Sequence, residues 1–132
     1  MMKLLVVLLF LPVSYLYAHT KLPPIQYDTV YTNPEVPASF PGGEEGWKKY
    51  LKQKTKYPRQ AWWKEIESDV QVKLIIEKNG TVSSAQHLNI SNFGFEQEAV
   101  RLVLKSGKWK PAMHRGKAVK SEGLLTINFR LK

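Results

Sequence analysis

A domain of the α/β class, in its α+β form with a three-stranded antiparallel sheet packed on helices, is predicted by three observations. Asp69 to Lys78 alternates, with Val70, Val72, Leu74 and Ile76 on one face and Gln71, Lys73 and Glu77 on the other, as a half-buried strand requires. Asn79-Gly80 then supplies a turn, and Thr81-Val82 starts a return strand toward Ile90, which makes a hairpin. After a helical segment, Glu122 to Leu131 alternates again, with Leu125, Ile127, Phe129 and Leu131 inward and Thr126, Asn128 and Arg130 outward. The expected core is a β-hairpin, a helix and a closing strand.

The 132 residues suffice for one modest domain, and the expected division is 1–18, 19–43 and 44–132. Met1-Met2-Lys3 gives a short positive start, Leu4 to Tyr17 is almost wholly apolar, and Ala18 is a small residue before the polar His19-Thr20-Lys21. This is the pattern of a signal peptide, although Leu16 stands where a second small residue would be usual. As a helix, Leu4 to Ala18 would cover about 22 Å, short of a hydrocarbon core of about 30 Å, and Pro12 interrupts it. Cleaved export is the expectation, and a retained short N-terminal anchor is the alternative.

Residues 19–43 carry Pro23-Pro24, Pro34, Pro37 and Pro41 with few paired apolar positions, and are expected to form a linker that packs no core. The folded part is expected to open at Gly42-Gly43. There Glu44 and Glu45 suit a helix N-terminus, and Trp47, Tyr50 and Leu51 share one face. Lys48, Lys49, Lys52 and Lys54 on the same helix read as a solvated outer face. Pro58 suits the first turn of a second short helix, along which Trp62 and Ile66 are one turn apart; Trp62 and Trp63 are both expected in the core, with one of them as a contact surface in the other reading.

Between Asn92 and Lys105, Phe95, Ala99, Leu102 and Val103 recur at helical spacing, and Gly107 is placed for a left-handed C-terminal cap. One face of this helix should cover the sheet. Asn79-Gly80-Thr81 and Asn89-Ile90-Ser91 match the glycosylation acceptor pattern, but the turn explains the first and chance the second.

Composition narrows the function classes. Cysteine is absent, which excludes disulfides, thiol nucleophiles and a lipid-bearing cysteine. The net charge of +9 favours anionic surfaces, yet the basic residues are scattered through every element, so no nucleic-acid partner is expected. His19, His87 and His114 fall in a tail, a strand and a loop, without the carboxylates of a metal site or triad. Ser83-Ser84 lacks a glycine-flanked nucleophile setting. No enzyme activity, cofactor or metal is expected.

The order of these features resembles the C-terminal domain of TonB, the periplasmic energy transducer of Gram-negative bacteria, over roughly the last ninety residues. The resemblance is carried by Tyr57-Pro58 with Ala61, the strand Val70 to Ile76, the turn Gly80, Glu96 with Ala99, Trp109-Lys110-Pro111 followed by Gly116, and the closing Ile127-Asn128-Phe129-Arg130-Leu131. It implies a periplasmic domain whose last strand lies at a sheet edge and takes up the TonB box, a short extended segment of a TonB-dependent outer-membrane transporter. The energy would come from inner-membrane motor proteins, and a homodimer stays open. On this resemblance the partner-binding residues are Lys54, Lys56, Tyr57 and Pro58 ahead of the second helix, and Glu122, Leu124, Thr126, Asn128 and Arg130 along the last strand.

The chain departs from the family pattern in three places. Ser68 stands where glycine often precedes the first strand, and Lys54-Thr55-Lys56 where some members carry glutamine ahead of Tyr-Pro. The second change makes a lysine contact to an acidic partner residue the replacement. The apolar N-terminal run and the linker are also short for the family. The alternatives are a soluble periplasmic adaptor of the same fold that is not energised and, last, a basic module for nucleic acid or cell-wall polymer.

Overall fold

The computed structural model describes Pro24 and residues 28–132. The expected export segment and most of residues 19–27 lie outside the described residues. The elements, in chain order, are α1 (Gly43–Lys54), α2 (Arg59–Trp63), β1 (Ser68–Ile76), β2 (Val82–His87), α3 (Phe95–Leu104), β3 (Ala112–His114), β4 (Lys117–Val119) and β5 (Ser121–Phe129). β1, β2 and β5 form one antiparallel sheet in the order β2-β1-β5, and β3 and β4 form a separate hairpin. The fold is α+β, as the alternation predicts.

Strand phase follows the sequence pattern. Val70, Val72, Leu74 and Ile76 of β1 and Ile127 and Phe129 of β5 are buried, and they meet Phe95, Ala99, Leu102 and Val103 of α3 in one core. β1 and β5 pair without a break from Ser68↔Phe129 to Ile76↔Ser121. At the hairpin turn only Gly80 takes a positive φ, +86°. A Cβ there would sit 2.0 Å from the Trp109 carbonyl oxygen, and the Gly80 carbonyl accepts the Trp109 N–H at 2.9 Å. Glycine is thus required twice over at this position, for conformation and for close approach.

The return strand ends at His87, short of Ile90. Beyond it the Asn89 side chain takes over the pairing: its Oδ1 accepts the Gln71 N–H at 2.8 Å and its Nδ2 donates to the Asp69 carbonyl at 2.9 Å. The side-chain amide therefore satisfies the part of β1 that β2 does not reach. Asn92, Phe93 and Gly94 then all hold positive φ before α3 begins, three residues later than the apolar spacing suggests. At its far end Gly107 does take the left-handed conformation, two residues past the Lys105 cap.

Three expectations need correction. Part of the stretch read as a linker is docked: Tyr31, Val36 and Ser39 bridge to Ser121, Met113 and Lys110, and Ala38 and Phe40 pack against the core. Main-chain pairing needs no apolar periodicity, so composition alone does not reveal it. Trp62 and Trp63 are 54% and 72% exposed rather than core. α2 is only five residues long and buries Ala61; Glu65 turns the chain at φ +53° before Ile66, so the one-turn spacing of Trp62 and Ile66 has no helix to act on. His114 lies in β3, not in a loop, because Arg115 and Gly116, at φ +50° and +73°, turn a short hairpin.

α3 is held at its start by Glu96, whose Oε1 accepts the N–H groups of Ser91 and Asn92 and the Ser91 hydroxyl. Burial alone would push the Glu96 carboxyl up, but these hydrogen bonds and one from its own N–H outweigh it and hold the group below its ordinary value. The stability this gives is fully present above the unfolded carboxylate pKa of about 4.3, and is lost as pH falls through the lower native value. Thermal melts from about pH 6 down to about pH 2 should therefore fall less steeply for Glu96→Gln than for the wild type.

Candidate functional site

β5 is the last strand of the sheet and only one of its sides is taken by β1. Glu122 donates its N–H to the Tyr31 carbonyl at 2.9 Å, on the side away from β1. Because backbone groups alternate sides along a strand, Leu124, Thr126 and Asn128 also turn their N–H and C=O groups away from β1, and Arg130 continues the series. Their side chains lie on the exposed face of the sheet, whereas Ile127 and Phe129 between them are buried. Four of the five residues named from the sequence, Glu122, Leu124, Thr126 and Asn128, thus share one strand edge, Arg130 lies just past its end, and the Glu122 N–H is already paired. Among the described residues, the unpaired edge begins at Leu124.

Two clefts flank this edge. Near its start a cleft of about 230 Å³ is lined by Pro34, Pro37, Ala38, Leu74, Trp109 and Gly123 to Leu125. Near its end a larger one, about 460 Å³, is lined by Leu51, Lys52, Thr55, Tyr57, Trp62 and Asn128 to Lys132. An extended chain laid along β5 would turn alternate side chains toward the core side of the sheet, where both clefts offer apolar walls. Backbone groups give such a chain affinity, and the clefts give it side-chain preference.

Tyr57 shapes the larger cleft. Its ring packs edge-on against Phe95 and Phe129, at 5.7 and 6.2 Å between centroids, and its hydroxyl donates to the Ile66 carbonyl at 2.6 Å. Burial pushes the Tyr57 hydroxyl pKa up, with the Glu67 carboxylate adding to the shift, so it stays a donor. Pro58 starts α2, accepting the Trp62 N–H at its carbonyl. Lys54 and Lys56 are fixed through their backbones, by Arg101 at 3.0 Å and the Glu98 carboxylate at 2.7 Å, and their side chains are exposed outside the cleft lining. The lysines at the cleft are Lys52 and Lys132. Arg130 is tied to Asp69 at 2.7 Å.

The other outer edge, β2, is a poorer platform. It has six residues against nine in β5, and its pairing slips between Ile75 and Ile76. Short, bulged edges discourage strand addition. Tyr31 and Leu51 are the candidate site residues that sequence reasoning missed, while Trp62 enters it only as one of two alternatives for a contact surface. Leu51 was visible only as an apolar helix position, and nothing in the sequence signals that Tyr31 pairs with a strand ninety residues on.

These features define a small α+β module that presents one strand edge between apolar clefts. The profile of the family described as Gram-negative bacterial TonB protein C-terminal matches residues 53–131, and the chain belongs to that family. The family is a transport-associated, non-enzymatic domain, is periplasmic in general and generally interacts with outer-membrane transporters. Comparison with curated proteins gave no match.

Proposed function

We propose that this domain binds the TonB box of an outer-membrane transporter by adding it as a fourth strand along Leu124 to Arg130, and so supports TonB-dependent transport. The observation that carries this reading is the row of outward backbone groups at Leu124, Thr126 and Asn128 between the two clefts. Each backbone hydrogen bond formed contributes about 0.5–1.5 kcal/mol net, so a handful yields a moderate, releasable complex. The chain would act in the periplasm, either exported or held by its N-terminal segment, with force supplied by inner-membrane motor proteins. No chemical step is required of it.

One observation favours a second reading, a non-energised periplasmic adaptor: Trp62 and Trp63 stand exposed, edge to face at 5.1 Å, over a depression shared with Glu65, Glu67 and Leu131. Titrating an isotope-labelled protein with a TonB-box peptide separates the two. Strand addition is expected to move the amide signals of Leu124, Thr126, Asn128 and Arg130 most. Changes confined to the tryptophan indoles, or none at all, would contradict it. Sedimentation of the free protein tests whether a second copy uses the same edge.

A further inference from the structure

We infer that Tyr31 sets the register of the bound strand, by closing the β5 edge with its own backbone so that a partner pairs only from Leu124 onward. This rests on the strand-addition reading. Tyr31 forms a parallel bridge to Ser121: its N–H donates to the Lys120 carbonyl and its carbonyl accepts the Glu122 N–H, each at 2.9 Å. These are the groups a partner strand would use if it slid further along β5.

The blocking segment is pinned on both sides. Asp28 pairs with Lys78 at 3.1 Å and Lys120 at 3.9 Å. Downstream, Val36 and Met113 exchange backbone hydrogen bonds of 3.0 and 2.9 Å, and Ser39 and Lys110 exchange bonds of 3.1 and 2.8 Å. Between these anchors, residues 32–35 make no backbone hydrogen bond to β5, and Asn33 and Pro34 form a wall of the smaller cleft beside Gly123 and Leu124. Tyr31 therefore blocks one position and leaves the next free.

A register device is needed because strand addition has little register of its own. A slide of two residues, about 6.8 Å, restores the same hydrogen-bond pattern and the same facing of side chains. With one end closed, sliding toward Ser121 loses its hydrogen bonds. The open edge from Leu124 to Arg130 spans about 20 Å, so the recognised segment is about seven extended residues long, and its apolar side chains are brought opposite the two clefts.

The test compares Tyr31→Pro, which removes the N–H that ties the segment to the Lys120 carbonyl and so loosens the carbonyl that covers the Glu122 N–H, with Tyr31→Ala, which removes the ring but keeps both backbone bonds. Each is shown to be folded from its β1–β5 amide protection. Interstrand NOEs are then read with a TonB-box peptide and with the same peptide extended by two residues at the end nearest Leu124. In the wild type and Tyr31→Ala, NOEs should stop at Leu124 and the extension should not change affinity. In Tyr31→Pro they should reach Glu122, and the extended peptide should bind roughly tenfold tighter than its parent. Equal registers and affinities in all three proteins, or a wild-type complex in which the peptide displaces Tyr31, would overturn the register stop while leaving strand addition standing. No binding to any of them would reject both.

Discussion

Leu74→Ala is expected to destabilise the domain by about 2–5 kcal/mol, while Lys73→Ala, one residue away, should change stability by no more than about 0.5 kcal/mol. Leu74 is 1% exposed at the centre of β1, and opposite it β5 carries Gly123. A Cβ on Gly123 would stand 3.2 Å from Leu74 Cδ2, so the leucine occupies the room its partner leaves empty. Truncating it to alanine would leave a methyl facing a glycine, and so a gap in the core. Lys73 points to the other face, where its 4.0 Å ion pair with Glu122 is solvent-exposed and contributes little. Denaturant melts of the two variants check this, and equal losses would show that the strand phase is wrong.

That phase was legible because both faces of the sheet differ in polarity. Val70, Val72, Leu74 and Ile76 alternate with polar residues, and so do Ile127 and Phe129 with Thr126, Asn128 and Arg130. A one-residue slip would put every apolar side chain in water, so the pattern and the structure agree. The edge position of β5 and its outward residues followed from the family resemblance together with this phase.

What stayed hidden depends on backbone pairing or on where a short helix stops. The bridges of Tyr31, Val36 and Ser39 reach β5, β3 and Lys110 ahead of β3 through main-chain groups that every residue carries, so the prolines around them read as a linker. The Ala112–His114 and Lys117–Val119 hairpin is three residues per strand, too short for alternation to register. Trp62 and Trp63 looked like core by residue type, but their place is decided by the end of α2 at Trp63 and the turn at Glu65. Lys54 and Lys56 are implied by the family resemblance alone; in the structure their side chains lie outside the cleft lining, whereas Lys52, next to Leu51 near the end of α1, stands at its rim.

The second large effect is the loss of partner binding when outward backbone donors of β5 are removed. Proline lacks the N–H, and at an edge position that does not bond within the sheet it leaves the fold's own ladder intact. Leu124→Pro, Thr126→Pro and Asn128→Pro should therefore remain folded and bind a TonB-box peptide more weakly by about tenfold or more. Leu125→Pro and Ile127→Pro should instead unfold the domain, because their N–H groups face β1. Side-chain changes at outward positions, such as Thr126→Ala, should alter affinity little. The contrast separates a backbone-mediated interface from a side-chain one.

Within that scan the most direct measurement is peptide affinity, by calorimetry, of Thr126→Pro against Thr126→Ala, each first shown to be folded by its amide spectrum. Strand addition along β5 predicts near wild-type affinity for Thr126→Ala and binding weaker by about tenfold or more for Thr126→Pro, which loses the donor and turns its ring toward the partner strand. Equal affinities for the two folded variants would contradict it.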